Sequence, residues 1–194
     1  SSSTALKGFR KYTMNDLNAW CVVSIPTQGW ANKVFPDVSD EEAMKKLWEA
    51  IFMATRMNLD DPVKAWEDHL SNLEEKVNFL NEKKFKKLYY KSSNGTDLEV
   101  ELPEGHIWAG GGGKNSKDIF FVANMPTEEV FTMPLKTGVN GVVHSTKPLN
   151  YGGNLIDNFK LTFENGKVID FEAEEGYDVL KDLFALDEGA KHLG

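Results

Sequence analysis

The chain has 194 residues, 41% hydrophobic and 27% charged, the composition of a folded globular protein of one domain or somewhat more, neither disordered nor fibrous. Twenty-two Lys and Arg stand against 30 Asp and Glu, and the net charge of -8 disfavours nucleic acid and anionic membrane, both of which select clustered positive charge. The apolar runs are too short to span a bilayer, and the lone Cys21 can form no internal disulfide, which fits a reducing cytoplasm or a plain absence of staples.

The chain starts Ser1-Ser2-Ser3-Thr4 with no signal-peptide pattern and stops at Lys191-His192-Leu193-Gly194 directly after a helical turn, so both ends read as cut from something longer. The first ordered feature expected is the extended run Trp20–Ile25, stopped by Pro26. Ser39 with Glu42 three residues on forms a capping-box pattern, and Met44, Leu47, Trp48, Ile51 and Thr55 recur at helical spacing, predicting a helix over 39–56. Asp61-Pro62 starts a second helix with an acid cap and a proline where a missing N–H costs nothing. Its stripe is Val63, Trp66, Leu70, Leu73, Val77 and Leu80, and the short link Met57–Asp60 predicts an antiparallel helical hairpin.

After Lys84 the period changes to that of strands. Runs over 86–91 and 96–102 flank Ser93-Asn94-Gly95, a hairpin signal. Further strands are expected at 106–108, 119–122 and 139–146, and a second hairpin joins 155–163 to 168–173 across Glu164-Asn165-Gly166-Lys167. Val179, Leu180, Leu183 and Phe184 place a closing helix over 177–186. The order predicts an α+β fold: an entry segment with the first strand (1–38), a helical hairpin (39–84), and a mostly antiparallel, β-rich part with a terminal helix (85–194), together making one domain.

Among candidate sites, Gly110-Gly111-Gly112-Gly113-Lys114 invites a phosphate-loop reading, but Asn115 stands where a Ser or Thr must hold magnesium, and a strand rather than a helix is expected next. His69, His106, His144 and His192 form no local metal pair; His69 reads as a helix-surface residue, and His144 could line a cavity. Cys21 has no cationic neighbour to activate it. The segment Pro126-Thr127-Glu128-Glu129-Val130-Phe131 differs, because two carboxylates sit between a strand end and an apolar pair. An acid held partly out of water needs a cation or hydrogen-bond donors, and in extended chain only one of Glu128 and Glu129 can face a given site. From the residues alone, either acid could be that one, and a capped turn at a strand end is the plainer alternative.

This segment resembles the thermophilic-type metalloaminopeptidases, the aminopeptidase S, aminopeptidase T and PepS group. So do Gly29-Trp30-Ala31 through Val34-Phe35-Pro36, Leu47–Phe52 with Ala54-Thr55-Arg56, Asp61-Pro62-Val63 with Ala65-Trp66-Glu67, Phe79–Lys83, Gly95–Leu98, Glu104-Gly105-His106 and Asp187–Ala190. The likeness runs through nearly the whole chain in order. It implies a piece of a larger two-domain enzyme that removes N-terminal residues from peptides with two divalent ions, zinc or cobalt. It further implies a cytoplasmic homodimer in the intact protein.

In the family's Pro-Thr-Glu-Glu motif the second acid is the metal ligand, which assigns that role to Glu129. The resemblance places the next ligand, a bridging glutamate, directly after Leu193-Gly194, and the remaining histidine, tyrosine and aspartate ligands beyond it. The chain is therefore expected to hold no complete catalytic set and to be inactive alone, and His106, His144 and His192 are not promoted into ligands. The competing reading is a non-catalytic interaction or oligomerisation module in which the Glu pair is incidental.

Overall fold

A computed structural model describes residues 6–193, the Lys7 side chain excepted; the Ser1–Thr4 start and Gly194 lie outside the described residues. It opens on helix α1 (Lys7–Met14), followed by strand β1 (Val22–Val23) and helix α2 (Gln28–Val34). Neither helix is expected from the sequence pattern, and β1 is shorter than the extended run Trp20–Ile25. Each helix carries a glycine, Gly8 or Gly29, and is too short to display an apolar stripe. The signal for α2 was present in Thr27, whose hydroxyl accepts the Trp30 amide at 3.3 Å as an N-cap.

The two long helices stand where their periodicity predicts, α3 (Asp40–Ala54) and α4 (Pro62–Lys83). Ser39 Oγ accepts the Glu42 amide at 3.3 Å. The reciprocal half of the capping box is not made, because the Glu42 carboxylate pairs with Lys46 one turn on, at 3.0 Å. Asp61 Oδ1 caps α4 by accepting the Lys64 amide at 2.9 Å.

Strands follow as β2 (Lys87–Lys91), β3 (Asp97–Glu101), β4 (Ala109–Gly110), β5 (Gly113–Lys114), β6 (Phe120–Phe121), β7 (Asn124–Met125) and β8 (Val130–Phe131). Then come β9 (Val139–His144), β10 (Leu149–Tyr151), β11 (Asn154–Glu164), β12 (Lys167–Glu175), helix α5 (Tyr177–Phe184) and a 3-10 turn (Gly189–Lys191). The fold is α+β, and among the described residues every pairing in the six-stranded sheet is antiparallel.

The chain forms two compact units that do not follow chain order. The residues up to Phe79 join Trp108–Phe131 in one, and Leu80–Ile107 join those from Thr132 onward in the other. In the first unit, Ala31, Ala43 and Leu47 are buried together, seating α2 on α3 with Phe35, Val38 and Ile51 around them. On α4 the stripe buries Trp66 and Leu73, and the Trp66 indole N–H donates to the Thr55 carbonyl at 2.7 Å, tying the start of α4 to the end of α3.

The second unit holds the sheet β10-β11-β9-β3-β2, with β12 paired to β11. Alternation puts Leu98, Val100, Val139 and Phe163 on one face as its core, with Leu88, Val143, Leu161 and Val168 packed around them. Burying each such side chain contributes about 1.5–3 kcal/mol. Phe171 of β12 stacks on Tyr177 and meets Phe184 edge-on, both at 5.1 Å, which fastens α5 to the sheet.

Across β2 and β3, Lys87 bridges Glu99 at 2.5 Å and Glu101 at 2.9 Å. The hydrogen bond from Lys87 holds the Glu99 carboxyl below its ordinary value of 4.5. A depressed carboxyl stabilises the fold above that ordinary value and stops doing so as pH falls through the depressed one. Lys87→Met is therefore expected to return the Glu99 titration toward 4.5, read by NMR of its side-chain carboxyl carbon. An unmoved titration would refute the bridge.

Candidate metal centre

Glu129 lies in a four-residue link between two short strand pairs. Ahead of it, β7 runs parallel to β1, with Val22 opposite Asn124 and Val23 opposite Met125. Behind it, β8 pairs with β4, with Gly110 opposite Val130 and Ala109 opposite Phe131. The Met125–Pro126 peptide is cis. Val22, Ser24 and the stretch Asn124–Glu129 line an open hollow of about 410 Å³.

The two neighbouring acids are in different circumstances. Arg56 grips Glu128 with both arms of its guanidinium, Nη1 to Oε1 at 2.7 Å and Nη2 to Oε2 at 3.1 Å. That hydrogen bond holds the Glu128 carboxyl below the usual range and Arg56 above its own. Because Glu128 remains 56% exposed, the pair is worth on the order of 1 kcal/mol, and its value lies in direction more than in strength. The Glu129 side chain makes no hydrogen bond or ion pair among the described residues, and the residue is exposed. Its oxygens are uncommitted.

Arg56 is itself held. Its guanidinium lies 5.2 Å over the buried Trp66 ring, a cation–π contact, and Nη2 donates to His69 Nδ1 at 3.1 Å. Arg has no acceptor, so Nδ1 must accept and the imidazole carries its proton on Nε2. That N–H donates to the Thr127 carbonyl at 2.7 Å. His69, read from sequence as a helix-surface residue, is instead largely enclosed at 13% exposure and tied to the acidic segment.

Neither Arg56 nor His69 was singled out as a site residue. The available signal was spacing, since Trp66 and His69 share one helix face three residues apart, with their rings 5.5 Å apart edge-on. The partners of His69 and Arg56, Thr127 and Glu128, lie 58 and 72 residues on, which no local pattern reports.

The other histidines have surroundings of their own in the second unit. His106 Nδ1 lies 3.0 Å from the Pro103 carbonyl, and His192 Nδ1 lies 3.3 Å from that of Lys136. His144 lines a separate hollow with Asn94, Ser145 and Asn158. Cys21 is exposed and unpaired. The glycine cluster feeds β4 and β5 rather than a helix, and β5 returns as a hairpin with β6. Gly110 is required by proximity: a Cβ there would meet the Glu129 carbonyl oxygen at 2.6 Å. Among the described residues no three His, Cys, Asp or Glu side chains come together as a metal site. One hard, uncommitted carboxylate suits a divalent ion as a single ligand and no more.

The family profile described as Thermophilic metalloprotease (M29) matches residues 1–194. The chain belongs to this metallopeptidase family. Aminopeptidase AmpS of Bacillus subtilis (strain 168) is 54% identical over 194 residues, covering 100% of this chain and 47% of that protein. Aminopeptidase T of Thermus aquaticus is 47% identical over 175 residues, covering 90% of this chain and 43% of that protein. The solved structure titled wild-type AmpT from Thermus thermophilus superposes with a TM-score of 0.90 at 41% identity, over 99% of this chain and 47% of that one. The chain thus spans just under half the length of these M29 relatives.

Proposed function

We propose that this chain is part of a metal-dependent aminopeptidase that releases N-terminal residues from peptides at a two-metal centre, with Glu129 as one ligand. The observation that carries the reading is the contrast inside one motif. Glu128 is bound by Arg56, whereas Glu129, its neighbour beside the hollow, is left with both oxygens unclaimed, in a chain of the M29 family. Divalent ions bound there would polarise the scissile carbonyl and acidify a water. Glu129 would supply anionic oxygen to them, and the link between β7 and β8 would set where that oxygen stands. Zinc or cobalt as the metal, a homodimeric assembly and a cytoplasmic location belong to the same proposal.

A lone carboxylate binds divalent ions weakly, since affinity comes from several ligands fixed together. The 194-residue chain by itself is accordingly expected to show no turnover of an aminoacyl chromogenic substrate. The longest natural polypeptide that carries this sequence is expected to lose turnover on chelation and regain it with zinc or cobalt. Turnover indifferent to chelation would overturn the proposal. Metal-free, inactive protein would instead favour an interaction module, a reading supported by the exposure of Glu129.

A further inference from the structure

We propose that Arg56 and His69 are positioning residues that fix the backbone carrying Glu129, so that its carboxylate is presented to the metal in one orientation. The inference rests on the reading of Glu129 as a metal ligand and adds to it the device that aims the ligand.

The two residues immediately before Glu129 are held at three points by one unit of side chains. His69 Nε2–H holds the Thr127 carbonyl at 2.7 Å, and Arg56 holds both Glu128 oxygens at 2.7 and 3.1 Å. Immediately after Glu129, Val130 is paired with Gly110, whose missing side chain lets the strand approach the Glu129 carbonyl. The chain is thereby anchored on both sides of Glu129, at the Thr127–Glu128 peptide and the Glu128 side chain before it and at the Val130 pairing after it.

The holders are rigid in turn. Arg56 lies between the Trp66 ring and Glu128 and donates to His69, so its four contacts determine one guanidinium plane. It achieves this from the left-handed region, φ 61, at a position after a helix end where glycine is usual. Lysine could not replace it, because an ammonium cannot hold two carboxylate oxygens and an imidazole nitrogen in one plane.

The test uses the cobalt-loaded form of the longest natural polypeptide carrying this sequence, with cobalt affinity and the visible ligand-field spectrum as readouts beside turnover. Arg56→Gln, Arg56→Lys and Glu128→Gln are expected to weaken cobalt binding about 10–100-fold and to alter the spectrum, the range usual for residues that orient a metal ligand. His69→Leu should do the same, while His69→Gln, whose amide can still donate to the Thr127 carbonyl, should restore most of the affinity. Glu128→Gln keeps shape and size, so it remains readable if Arg56→Gln fails to fold.

A lowered melting temperature with unchanged cobalt affinity and spectrum, in variants for which Glu129→Gln does weaken binding, would overturn the positioning role and leave the metal reading standing. Wild-type cobalt binding by Glu129→Gln would overturn the metal reading and the positioning role with it.

Discussion

Glu129→Gln, in the longest natural polypeptide that carries this sequence, is expected to lower kcat/KM for peptide hydrolysis by more than about a hundredfold. Residues that only orient a metal ligand cost about 10–100-fold, and a ligand itself must exceed them. The same change should alter stability by less than about 0.5 kcal/mol, because the side chain is exposed and has no partner among the described residues to lose. Carboxamide and carboxylate have the same shape, so the loss would report charge and metal affinity rather than folding. Bound metal measured alongside turnover should fall in parallel. Near-wild-type rates at full metal content would move the ligand role to another residue.

Gly166→Ala is expected to destabilise the fold by about 3 kcal/mol or more, and Gly95→Ala by only about 1–2 kcal/mol. Both glycines follow an asparagine at a hairpin turn and both have positive φ, 81 and 98, so each alanine bears the left-handed penalty. Their surroundings separate them. A Cβ at Gly166 would collide with the Lys136 carbonyl oxygen, a backbone atom that cannot step aside without moving the segment before β9. A Cβ at Gly95 would meet the His144 imidazole at 3.1 Å, a side chain that can rotate. Urea unfolding midpoints at unchanged slope would read the difference. Equal losses in the two variants would refute the packing argument and leave only the turn conformation.

Those two glycines show where legibility in the sequence ended. Asn165-Gly166 is a two-residue turn with both residues at positive φ, the arrangement its letters predict. That the Lys136 backbone lies against it depends on residues thirty positions away, and nothing local encodes that. The long helices were legible for the opposite reason. Ser39, Asp61 and the apolar stripes of α3 and α4 act within one or two turns, so the pattern and its cause share one stretch of chain. The short helices α1 and α2 and the two-residue strands β4, β5, β7 and β8 carry too few residues for any period, and tertiary pairing alone defines them.

The acidic motif divides in the same way. The sequence by itself located the Glu128-Glu129 pair, required that only one of them face a site, and through its family likeness named Glu129. It also determined the α+β order, since strand and helix periods are written residue by residue. Only the tertiary structure showed what occupies Glu128. Arg56 at the end of α3 and His69 on α4 reach it across 72 and 59 residues of chain, and by engaging it they leave Glu129 as the acid with free oxygens. The physical reason is range: hydrogen-bond periodicity and capping act over a few residues, whereas the commitment of a charge depends on which opposite charge the fold brings within about 3 Å of it.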